Sequence, residues 1–142
     1  MSETLKPIET MNAENIINKQ TKLFGLIGEK ASTNRLFAMV NRLIKSQSTD
    51  AMIIPMNIRE DDFYFTVANM KKSHVSGAYI EQEYQEMVLE LLDEKDEIVE
   101  VYNRCDFVLK EGEKLRGYLL EKNDIASQEE LAQILFEQFI KD

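Results

Sequence analysis

Apolar positions along the chain change period several times, and each change marks an element. Lys22-Leu-Phe-Gly-Leu-Ile-Gly28 is a short apolar run closed by glycine, which predicts a buried strand. Leu36, Phe37, Met39, Val40, Leu43 and Ile44 then recur at helical spacing, behind a Ser32-Thr-Asn34 whose side-chain oxygens suit a helix cap. This helix should stop near Ser46. Residues 51–58 read as a second strand, and Pro55, which has no N–H to give, puts it at a sheet edge or a bulge. Glu60-Asp-Asp62 opens a second helix, where acids suit the positive end of the dipole, and Phe63, Val67 and Met70 form its buried face. Residues 75–80 give a third strand. The pattern from Tyr84 to Tyr102 predicts one long amphipathic helix on Met87, Val88, Leu91, Leu92, Ile98 and Val99.

From Cys105 the period shortens again. Residues 105–109 and 114–120 flank Lys110-Glu-Gly-Glu113 and read as a hairpin. Ser127, with Glu130 three residues on, caps a last helix carrying Leu131, Ile134, Leu135, Phe139 and Ile140. Strands alternating with helices predict an α/β fold, a single three-layer domain with a mixed, mainly parallel sheet and a C-terminal β-hairpin plus helix. Residues 1–20 are polar apart from Ile16 and Ile17 and read as a flexible N-terminal arm, which leaves 21–142 as the folded domain. The sequence carries no internal repeat and no interdomain linker.

Composition narrows the partners. The 142 residues are 44% hydrophobic, enough to build one core without metal or disulfides. The net charge is −9 and no run of Lys and Arg is dense enough to neutralise phosphates, so neither nucleic acid nor an anionic membrane surface is an expected partner. The single cysteine excludes an internal disulfide, and no apolar run resembles a signal peptide or membrane span. The expected compartment is the cytoplasm.

Three blocks carry a resemblance. Residues 22–28, with Ser32 four positions after the second glycine, are similar to the strand and carboxylate-binding loop that open shikimate dehydrogenases. Val75-Ser-Gly-Ala-Tyr-Ile80 and the following Glu86-Met-Val-Leu-Glu-Leu-Leu-Asp93 resemble that family's Gly-x-Asn-Val-Thr-x-Pro-x-Lys segment and helix. Gly112-Glu-Lys-Leu-Arg-Gly-Tyr118 looks like its Gly-Lys-Leu-x-Gly-x-Asn-Thr-Asp hairpin. The blocks lie in the family's order and at its spacing, and the resemblance implies the fold of a shikimate dehydrogenase substrate-binding domain.

The same resemblance implies a degenerate site. By position, the family's catalytic lysine falls on Gln85, and its substrate-binding asparagine and threonine on Tyr79 and Glu81. The asparagine and aspartate that complete the family's site fall, with a one-residue gap, on Cys105 and Glu121. In the carboxylate loop Ser32 remains, whereas Asn34 replaces the second serine and Lys30 the proline. The candidate ligand-binding set is therefore Ser32, Asn34, Tyr79, Glu81, Gln85, Cys105 and Glu121, with no catalytic residue. The family's glycine-rich NADP-binding unit is not expected either, because only five glycines occur and none follows Gly117, so no cofactor is expected. Glu81, Glu83 and Glu121 would also repel an anion such as shikimate, offset in part by Lys30 and Arg35.

Each candidate has a plainer reading. Ser32 either joins an anion site or simply caps its helix. His74 stands alone before a strand and suits an exposed turn better than a metal site, so no metal is expected. Cys105 follows Arg104, which would lower its pKa, although a lone cysteine opening a strand is usually packed. Glu81 and Glu83 fit a solvated segment as well as a carboxylate pair. The last helix, with Phe136 added to its stripe, either covers the sheet edge of its own chain or docks onto a second copy. The expected function is a non-catalytic binding or interaction module, taking a small-molecule ligand or a protein partner. Two alternatives stay open: a component of a shikimate or quinate dehydrogenase acting with a separate nucleotide-binding chain, and a small-metabolite sensor.

Overall fold

The computed structural model of the chain describes residues 20–121 and 127–141, so the arm read over 1–20 falls, except for Gln20, outside the described residues. Strand β1 (Lys22–Gly28) is the pivot. It pairs in parallel with β2 (Ala51–Asn57) on one side and β3 (Val75–Ile80) on the other, and this double burial is what its unbroken apolar run encodes. Helix α1 (Leu36–Ser46) connects β1 to β2, and α2 (Glu60–Asn69) connects β2 to β3. The hairpin β5 (Phe107–Glu111) and β6 (Lys114–Tyr118) adds antiparallel to β3. Its two-residue turn starts at Gly112 with φ +67°, the left-handed backbone that only glycine reaches without strain.

One segment folds differently from its periodicity. Residues 84–102 do not form one helix. They form short 3₁₀ turns at Gln82–Tyr84 and Met87–Leu91, a two-residue strand β4 (Glu94–Lys95) and a short helix α3 (Glu97–Tyr102). The backbone of this stretch is claimed by the sheet. Asp93 N–H donates to Leu115 C=O at 2.9 Å, Asp96 N–H donates to Gly117 C=O at 3.0 Å, and the Asp93 carboxylate accepts Leu115 N–H at 2.8 Å. Arg116 then bonds the carboxylates of Glu94 and Asp96. Helix propensity is a few tenths of a kcal/mol per residue, and a set of tertiary hydrogen bonds outweighs it. The finished sheet has six strands in the order β2-β1-β3-β5-β6-β4, with β4 parallel to β6.

Successive strand residues feed two cores. Phe24, Leu26, Tyr79 and Phe107 face α1 and the last helix α4 (Gln128–Leu135), which continues through a π-helical turn over Phe136–Ile140. Ile27, Ala78, Ile80 and Val108 face α2, the 3₁₀ turns and α3. The result is a helix–sheet–helix sandwich with β2 at one edge, where Pro55 requires it. Ser127 caps α4 by accepting Glu130 N–H at 3.2 Å. The apolar stripe of α4 does not cover a sheet edge. Leu131, Leu135, Phe136 and Ile140 are buried on the sheet face beside α1, and Phe139 stacks on Phe107 with ring centres 4.2 Å apart. No helix among the described residues is long and apolar enough to cross a membrane.

Candidate functional site

The carboxyl ends of β1, β2 and β3 lie along one rim of the sheet, where α/β folds open a crevice for ligands. The segment before β5 and the one after β6 reach the same rim, because those strands run so as to bring Asp106 beside Tyr118. Two adjoining cavities open there and share Glu83. One, of about 530 Å³, is lined by Gln82, Glu83, Gln85, Glu86, Arg104 and Glu121. The other, of about 610 Å³, lies toward Asn34, Glu81, Lys30 and Arg35.

Gln85 is only 3% exposed and forms the floor of the first cavity. Its amide is engaged at both ends: Nε2 donates to Ile80 C=O at 3.0 Å, and Oε1 accepts from Arg104 Nη1 at 2.8 Å. Arg104 Nη2 reaches on to the Glu121 carbonyl at 2.8 Å. Tyr79, buried on β3, donates its hydroxyl to Glu121 Oε1 at 2.7 Å. Burial, with the negative charge of Glu121 next, holds the Tyr79 hydroxyl far above its ordinary range, so it stays a donor.

Around the second cavity, Asn34 Nδ2 donates a short hydrogen bond to Glu81, while its Oδ1 accepts from Leu36 N–H at 2.8 Å and Gln128 Nε2 at 3.1 Å. Asn34, not Ser32, thus serves the start of α1. Ser32 is exposed and pairs with Asn57, its N–H donating at 2.9 Å and its hydroxyl accepting at 3.1 Å. Glu83 accepts Glu29 N–H at 2.8 Å. Partial burial raises the Glu81 pKa against the lowering hydrogen bond from Asn34, and Glu83 raises it further. Gly28 makes room for this carboxylate, since a Cβ there would stand 2.0 Å from Glu81 Oε1.

The structure therefore gathers Asn34 with Glu81, and Tyr79 with Gln85 and Glu121, at one rim. Cys105 is placed elsewhere. It is fully buried in the core under α3, its thiol donates to Phe107 C=O, and burial pushes its pKa up to about 12. The neighbouring Arg104 donates to Gln85 and to the Glu121 carbonyl and makes no hydrogen bond to the thiol. Arg104 is the residue of this segment that lines the first cavity, and Asp106 supports the rim from beneath. Asp106 is completely buried, and its two oxygens accept Leu120 N–H at 2.7 Å and Glu121 N–H at 2.8 Å. Strand alternation was the available signal: adjacent residues entering β5 point to opposite faces, so a buried Cys105 puts Arg104 and Asp106 on the other side. His74 is exposed in the turn before β3.

No protein-family model matches the sequence. Among curated proteins, the shikimate dehydrogenase (NADP(+)) of Dictyoglomus turgidum is 28% identical over 102 residues, covering 72% of this chain and 37% of that protein. The Pyrococcus furiosus enzyme is 27% identical over 103 residues, 72% of this chain and 38% of its own. The chain resembles part of a shikimate dehydrogenase. The solved shikimate dehydrogenase of Aquifex aeolicus superposes with a TM-score of 0.68 at 24% identity, over 72% of this chain and 39% of that one. This likeness to shikimate dehydrogenases is the one carried by the three sequence blocks, and the six-stranded α/β sheet is the fold that it implies.

Proposed function

We propose that this chain is a non-catalytic binding module built on the substrate-binding scaffold of a shikimate dehydrogenase. One observation carries the reading: Gln85 stands where the resemblance puts the catalytic lysine, and its amide is buried and committed on both ends to Ile80 and Arg104. Alcohol oxidation needs a group that takes the hydroxyl proton, worth roughly 10²–10⁴ in rate, and an amide has no basicity to offer. A lysine amine would also meet the Arg104 guanidinium at this spot, a like-charge contact that the glutamine avoids.

The glycine turn after β1 is the one that the resemblance gives to a substrate carboxylate, not to a dinucleotide. The space over Gly28 is filled by Glu81, and Glu29 and Glu83 add negative charge there, which disfavours an anion such as shikimate. What remains is a polar cleft of ligand size with fixed hydrogen-bonding groups, which supports binding.

The test is a turnover assay of the purified chain with shikimate and NADP, and with quinate in parallel. No reduced cofactor should form above the protein-free rate at any pH from 6 to 10. Measurable turnover would end the proposal.

A further inference from the structure

The charges in the first cavity are arranged in a way that excludes most simple ligands. Glu83, Glu86 and Glu121 bring three carboxylates to its walls, which disfavours an anion. Yet Arg104 lines the same space, and its hydrogen bonds among the described residues go only to neutral acceptors, the Gln85 amide and the Glu121 carbonyl. The nearest buried carboxylate, Asp106, senses its charge but is consumed by Leu120 and Glu121 N–H. Among the described residues the guanidinium is thus positioned without a hydrogen-bonded ion pair, and its remaining N–H groups have no partner there. A plain cation would be drawn by the glutamates but would meet Arg104. A plain anion would suit Arg104 but would meet the glutamates.

A molecule bearing both charges satisfies both walls. We propose that this cavity binds a small zwitterion, an α-amino acid or a close relative, with its carboxylate on Arg104 and its ammonium among Glu83, Glu86 and Glu121. The geometry supports the pairing. Gln85 and the Glu121 backbone fix the guanidinium plane, which suits bidentate capture of a carboxylate. Tyr79 fixes one oxygen of the Glu121 carboxylate and leaves the other to accept from an ammonium. A cavity of about 530 Å³ lies within the range of small-ligand sites. The inference rests on the cleft being a binding site, as in the proposed function.

The test uses the full chain and a panel of proteinogenic amino acids in a thermal-shift screen, followed by calorimetry. For each amino acid, two further probes are run at equal concentration: the amine without its carboxylate and the acid without its amine. At least one amino acid should raise Tm while both of its truncated forms leave it unchanged. Glu86→Gln, at an exposed carboxylate with no structural hydrogen bond among the described residues, and Arg104→Lys should each weaken binding about tenfold or more. A panel without any shift overturns the inference, as does an amine or acid that binds as well as the parent, or an affinity unmoved by both substitutions. None of these results touches the non-catalytic reading, which falls only on NADP-dependent turnover.

Discussion

Asp106 condenses the physics of the rim into one side chain. Its carboxylate has no exposure and, among the described residues, no ion pair, yet it holds the chain leaving β6 through two backbone N–H groups. Burial dominates and raises its pKa from 3.8 to about 6, although both N–H bonds pull the other way. A folded-state pKa above the unfolded one means that the native protein binds this proton more tightly. The stabilising contribution is full below about pH 4 and is lost as pH rises through about 6. Urea denaturation across pH 3.5–7.5, comparing the natural chain with Asp106→Asn, isolates this term. The natural chain should lose stability relative to the variant as pH rises through that window. A relative gain instead would mean that the carboxylate behaves as an ordinary stabilised anion. At this scale the sequence was only partly legible. A glutamine at 85, where the resemblance puts a lysine, could be read directly, whereas the gapped match landed on Cys105, which faces the core between Arg104 at the cavity and Asp106 beneath the rim. Pairwise matching counts positions, and it does not see which side of the strand each one faces.

Elements whose side-chain pattern agrees with their backbone pairing followed from the sequence, and the stretch whose backbone pairs against its pattern did not. The strands 22–28 and 75–80, the cap at Ser127 and the first two helices follow from periodicity and short-range chemistry. The stretch 84–102 misled because its helical spacing is real but its backbone partners lie in β6, some twenty residues on. A second distant contact governs the sheet edge. Asn41, on α1, donates to Ile53 C=O at 2.9 Å and accepts Ile53 N–H at 3.0 Å, taking the place of a neighbouring strand. Two residues further along the same side, Pro55 has no N–H to offer. Together they close β2 to strand addition, the usual liability of an edge. Asn41→Ala should cost about 1–3 kcal/mol, because a buried donor and acceptor lose their partner. It should also make the chain self-associate. Urea midpoints and light scattering at two protein concentrations check both, and a variant that keeps its stability would remove Asn41 from this role.

At the scale of the molecule, the alternation of strands and helices was enough to give a three-layer α/β sandwich, but it could not say which layer the last helix joins. That depends on side chains far apart in sequence meeting across the sheet: Phe136 and Ile140 with Phe24, Leu26 and Phe107 on one face. The arrangement predicts how the chain comes apart. Phe136 is 1% exposed within its own chain, so Phe136→Ala removes a core ring and should destabilise by about 3–5 kcal/mol. Domains of this size hold roughly 5–15 kcal/mol in all, so the variant should remain folded but with a sharply lowered urea midpoint. The loss must be independent of protein concentration, because the helix is seated on its own sheet. Were the stripe of α4 instead the contact between two copies, unfolding would include dissociation, and the midpoint of the natural chain would climb with concentration. Measuring both proteins over a hundredfold concentration range separates the two cases. A constant difference and constant midpoints place α4 in the core of one chain, and midpoints that rise with concentration would place it between two.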